Sequence, residues 1–143
     1  MAEAIFCAMV KKAGLEDQIE VDSAGTGDWH IGNRPHEGTL RILQLNGIPE
    51  GSRARQIKIS DLNSFDYLIV MDNQNLKNVQ KLGQGRAHLV RLLDYAPDLG
   101  LAEVPDPYFT GDFEETFRLI GTSCELLLEE ISRTHHLKIS NPL

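Results

Sequence analysis

At 143 residues, with 41% hydrophobic and 24% charged side chains, the chain fits one ordinary globular domain, residues 1–143, able to bury about two-thirds of its unfolded surface. A net charge of -7 without a Lys/Arg stripe argues against a nucleic-acid partner, and an anionic substrate would need a locally positive pocket. No apolar run nears the ~18 residues of a membrane span, no secretory-leader pattern is visible, and two cysteines, Cys7 and Cys124, suit a reduced, cytoplasmic compartment.

Residues 1–13 read as a helix with Ala2, Ile5, Phe6, Met9, Val10 and Ala13 on its apolar face and Gly14 as its stop. Cys7 lies one turn from Glu3 and Lys11 and reads as a solvated thiol, because no neighbour in the pattern lowers its pKa. Ile19 to Asp22 is a short strand candidate. The loop from Ser23 to Pro35 holds three glycines and Trp29, which is either a half-buried anchor or a wall for a planar ligand. His36 to Asn46 is the next helix, with Leu40 and Leu43 on one face and Gly47 closing it.

A basic connection from Arg53 to Lys58 precedes a short helical turn capped by Ser60 and Asp61. Tyr67 to Met71 is apolar at every position, as a strand covered on both faces must be. Asp72 ends it, either as a site carboxylate at a strand's C-terminal edge or as the cap of the helix starting near Asn73. That helix turns Leu76, Val79 and Leu82 inward, and Leu89 to Leu93 is the third strand candidate.

The last helix runs from about Asp112 to Thr134 on a stripe of Phe113, Phe117, Ile120, Cys124, Leu127, Leu128 and Ile131, which makes Cys124 a core residue. Residues 135–143 lack periodicity and read as a frayed tail. Helices and strands alternate throughout, so the fold class is α/β, a doubly wound parallel sheet with helices on both faces. With no Cys-x-x-Cys, His-x-x-x-His or EF-hand loop, neither a metal nor another cofactor is expected.

The stretch with the most chemistry is Val104 to Phe113. Pro105 and Pro107 fix the backbone around Asp106, Tyr108 and Phe109 follow at once, and Asp106 is expected extended, with no new helix before Asp112. Such an acid beside two rings is either a stiff surface turn or a proton donor at an aromatic substrate.

Taken together these segments resemble the low-molecular-weight protein-tyrosine phosphatases. The likeness rests on Met-Ala-Glu-Ala-Ile-Phe at the start, Val-Asp-Ser-Ala-Gly-Thr at 21–26, Trp29 and Ile-Gly-Asn-Arg-Pro at 31–35. It continues through Gly47-Ile48-Pro49, Ala54-Arg55-Gln56, Phe65-Asp66-Tyr67 and Met71-Asp72 to Asp106-Pro107-Tyr108-Phe109. The resemblance implies a flavodoxin-like strand order 2-1-3-4, with Asp106 as the general acid, Trp29, Tyr108 and Phe109 flanking the substrate ring, and Ser23 supporting the phosphate loop. It leaves Asn33 open and gives Asp72 a structural role. The implied partner is a phosphotyrosine protein or a small aryl phosphate, hydrolysed through a cysteinyl-phosphate without a cofactor.

The family's nucleophile sits in a Cys-x5-Arg-Ser loop that follows a first strand and precedes the Met-Ala-Glu-Ala helix. Here no Cys-x5-Arg occurs: six residues beyond Cys7 stands Ala13, and six beyond Cys124 stands Glu130. The resemblance therefore implies that strand and loop are absent from this chain, that an internal methionine stands first, and that these 143 residues alone are inactive. The alternatives are a non-catalytic binding module or remnant, and arsenate reduction, which would need further cysteines in mid-chain.

Overall fold

In the computed structural model, which describes residues 1–27 and 31–139, the apolar run at 67–70 forms β1 (Tyr67–Val70) and pairs in parallel with β2 (His88–Arg91). Leu68 lies opposite Leu89 and Ile69 opposite Val90. A parallel pair needs a crossover, and α4 (Asn73–Leu82) supplies it. The other helices are α1 (Ala2–Lys12), α2 (Glu37–Leu45), the one-turn α3 (Asp61–Ser64) and α5 (Pro107–Thr110), and the long α6 (Phe113–Thr134).

Alternation along β1 divides the apolar interior. Tyr67, Ile69 and Met71 pack against the larger core, where Ile5, Phe6 and Val10 of α1 meet Leu119, Ile120, Cys124, Leu127, Leu128 and Ile131 of α6. Val70 and Leu68 face a smaller core with Leu62 of α3 and Val79, Leu76 and Leu82 of α4. Helices thus cover both faces of the sheet, as the apolar pattern at 67–71 requires.

Three expectations are corrected. Ile19 to Asp22 forms no strand: the Ile19 N–H turns back to the Leu15 carbonyl (2.9 Å), and a single parallel bridge joins Gly25 to Gln56 downstream. Among the described residues the sheet has two strands, β1 and β2. The strand expected at 89–93 occupies His88–Arg91, because Leu92 and Leu93 turn into a 3-10 turn (Leu92–Tyr95) that buries both leucines in the larger core. Residues 135–139, expected to fray, fold back: the Leu137 N–H donates to the Ser132 carbonyl at 2.8 Å, and Leu137 and Ile139 pack against the larger core.

Candidate active site

The backbone around Asp106 is tied down on both sides. The N–H of buried Val104 donates to the Met71 carbonyl (2.9 Å) at the C-terminal end of β1, and the Thr116 hydroxyl of α6 donates to the Pro105 carbonyl (3.3 Å). Asp106 is extended (φ -77°, ψ 113°), as a residue before proline must be, and its Oδ1 accepts from the Tyr108 N–H at 2.9 Å. This corrects the expectation that no helix begins before Asp112. Pro107, with its fixed φ and no amide hydrogen to lose, starts the one-turn α5, and Asp106 caps it. Gly111 in the left-handed region (φ 73°) stops that turn, and Asp112 caps α6 by accepting from the Glu115 N–H.

Tyr108 and Phe109 project from this turn with 69% and 83% of their surface exposed, ring edge against ring face at 5.5 Å. Tyr108 also meets His36 edge-on at 5.6 Å, and His36 stacks on Phe113 at 5.2 Å. His36 caps α2 through Nδ1, which accepts from the Gly38 N–H. Gly38 has no side chain for a reason: a Cβ there would stand 2.5 Å from the Phe113 ring.

A second group of side chains gathers at the first turn of α1. Glu3 Oε1 accepts from the Ser23 hydroxyl (3.0 Å), the Ser52 N–H (2.9 Å) and the Ser52 hydroxyl (2.9 Å), and Oε2 also lies 2.9 Å from that hydroxyl. A Cβ on Gly51 would come within 2.5 Å of Glu3 Oε1. One carboxylate thus joins the loops that carry Ser23 and Ser52 to the start of a helix. Beside it Arg55 spans Asp22 (3.1 Å) and the buried Asp61 (3.0 Å). Burial alone would raise the Asp61 carboxyl, but hydrogen bonds from Arg55 and the Lys58 amide, with the charges of both residues, hold it below its ordinary value.

The loop at 31–36 bridges the two groups. The Gly32 N–H donates to the Ala54 carbonyl (2.7 Å) and the Ala54 N–H to the Asn33 carbonyl (2.9 Å), two residues from Ser52, while His36 at its other end touches Tyr108. Asp72 caps α4, accepting from the Asn75 N–H at 2.7 Å, the second of its two sequence readings. Trp29 lies outside the described residues. Glu3 and Asp61 are the residues sequence reasoning missed as parts of the site.

Neither thiol is poised to attack. Exposed Cys7 is raised by desolvation and by the charges of Glu3 and Asp22, and buried Cys124 is pushed up to about 12 by burial. Among the described residues, no three His, Cys, Asp or Glu side chains gather as a metal site, and no helix is long and apolar enough to cross a membrane. Among the described residues, the arrangement sets the Asp106 carboxylate in the same turn as the Tyr108 and Phe109 rings.

The family model described as low molecular weight phosphotyrosine protein phosphatase matches residues 1–137. The chain is 51% identical over 140 residues to the low molecular weight protein-tyrosine-phosphatase YfkJ of Bacillus subtilis, covering 96% of this chain and 90% of that protein. It is 36% identical over 140 residues to PtpA of Staphylococcus aureus, covering 96% and 88%. The crystal structure of YfkJ superposes with a TM-score of 0.89 over 93% of this chain and 86% of that one. A Drosophila arginine phosphatase superposes with a TM-score of 0.83 at 29% identity, over 91% and 87%.

Proposed function

The chain belongs to the low molecular weight phosphotyrosine protein phosphatase family, and on that premise we propose that it hydrolyses phosphotyrosine or small aryl phosphates with Asp106 as general acid and a cysteine outside these 143 residues as nucleophile. The observation that carries this reading is Asp106 itself: an exposed carboxylate, fixed by backbone tethers on both sides, in the same turn as two exposed rings. A phenolate is a poor leaving group in water, and a positioned acid that protonates it as the P–O bond breaks is worth about 10²–10⁴ in rate.

In the first step the thiolate of a Cys-x5-Arg loop forms an S–P bond while the P–O bond to the ring breaks and the Asp106 proton passes to the departing oxygen. In the second, Asp106, now a carboxylate, takes a proton from water as that water attacks phosphorus and frees the thiolate. Tyr108 and Phe109 flank the ring. Ser23, held by Glu3, supports the phosphate loop at the start of α1, where the positive end of the helix favours anions. Phosphoarginine is the competing substrate, since one structural neighbour is an arginine phosphatase; the exposed Tyr108 and Phe109 rings favour the aryl ester. A thiol relay for arsenate reduction lacks its cysteines between Cys7 and Cys124.

The test compares the 143-residue chain with one carrying an apolar strand and Cys-x5-Arg-Ser-Pro ahead of Met1, using p-nitrophenyl phosphate, phosphotyrosine peptide and phosphoarginine. The longer chain is expected to turn over the aryl esters and to lose about 10²–10⁴ in kcat on Asp106→Asn, while the 143 residues alone are silent. Turnover by the 143 residues alone, or none by the longer chain, overturns the reading. Preference for phosphoarginine overturns its substrate class.

A further inference from the structure

Of the arginines on the two loops beside the candidate active site, two are neutralised. Arg34 is held bidentately by Glu50, Nη2 to Oε1 at 2.7 Å and Nε to Oε2 at 3.1 Å. Arg55 divides its donors between Asp22 and Asp61. The third, Arg53, is exposed, and among the described residues its one hydrogen bond runs from Nη1 to an uncharged acceptor, the Gly32 carbonyl at 3.1 Å. Glu50 feels its charge but gives both oxygens to Arg34. Among the described residues, none accepts from the Nε or Nη2 of Arg53.

The position of this guanidinium is set by its neighbours. Arg53 follows directly on Ser52, whose N–H and hydroxyl are engaged by Glu3. The next residue, Ala54, is paired through its backbone to Gly32 and Asn33. Gly32 begins the loop that ends at His36, against the Tyr108 ring. Four residues of chain span at most about 14 Å, so the guanidinium lies within a few residues of extended peptide from the ring platform.

From this we propose that Arg53 is a specificity-determining residue: it receives the carboxylate of an Asp or Glu flanking the phosphotyrosine of a substrate peptide. The inference rests on the phosphatase reading above. Guanidinium and carboxylate match as a planar two-bond pair, and among the described residues nothing takes the two Arg53 donors such a pair needs. Charge supports it as well. A chain of net charge -7 repels an acidic peptide over most of its surface, so a guanidinium beside the site that no carboxylate among the described residues holds favours where such a peptide can lie.

The experiment measures kcat/KM of the loop-bearing chain on three phosphotyrosine peptides, with flanking acids on the N-terminal side, on the C-terminal side, or replaced by alanine. At least one acidic peptide should be preferred over the alanine peptide by about two- to five-fold, the scale of one exposed charge pair. The preference should reside in KM, shrink as salt is added, vanish in Arg53→Ala and partly return in Arg53→Lys. Lys81→Ala, on α4, should leave the ratio where it stands. No preference in the unmutated chain, or a preference that survives Arg53→Ala, overturns the inference while aryl phosphate turnover upholds the phosphatase reading. Absence of p-nitrophenyl phosphate turnover in the loop-bearing chain overturns both.

Discussion

Asp106 owes its position to the backbone on either side of it: Val104 tied to Met71, Pro105 tied to Thr116, and two prolines fixing φ. All of this is local except the tethers, and the local part was readable. Pro-Asp-Pro followed by two aromatics announces a fixed acid beside rings from a short stretch of sequence. Glu3 was not readable, because its partners stand 20 and 49 residues away and nothing in its own helix distinguishes it from a solvated first-turn acid. Gly38 is a similar case. Helix propensity alone favours alanine there by about 1 kcal/mol, yet a Cβ would stand 2.5 to 2.7 Å from three atoms of the Phe113 ring. The overlap should win: Gly38→Ala is expected to destabilise by about 1–3 kcal/mol, read as a lower denaturation midpoint.

At the scale of elements, β1, α4 and α6 were legible because each carries its signal within itself, an apolar run or a helical stripe closed by an Asp cap. The segment at 19–22 was not, since a strand exists only by virtue of a neighbour and no sequence window contains that neighbour. The 3-10 turn after β2 was hidden for another reason: Leu92 and Leu93 look like continued strand and are drawn instead into the larger core. The one-turn α3 depends on Asp61, which turns back to accept from the Lys58 N–H and from Arg55. Its folded pKa lies below the ordinary 3.8, so the unfolded chain binds the extra proton. The contribution is complete above about that value and is lost as pH falls through the lower folded one. Asp61→Asn should therefore cost about 2 kcal/mol at neutral pH, and melts recorded from pH ~6 downward should show the gap to the unmutated chain closing below pH ~4.

Across the whole molecule the two cores differ in size and share one strand. The larger is built from α1, α6 and the 3-10 turn; the smaller has Leu62, Val70 and Val79 as its buried residues. Leu128, fully buried in the first, should cost about 3–5 kcal/mol on substitution by alanine, and Val79→Ala in the second less, about 1–3 kcal/mol, measured by urea denaturation. Because the smaller core has fewer buried residues, its layer is expected to open at a lower free energy than the larger. Amides of α4 are expected to exchange with solvent deuterium by a sub-global opening of lower free energy, while those of α6 between Leu119 and Ile131 wait for global unfolding. The acid loop hangs from Met71 and from the buried Thr116 of α6, and through Glu103 it also accepts from the first amide of α4, so Asp106 stands where the two layers meet.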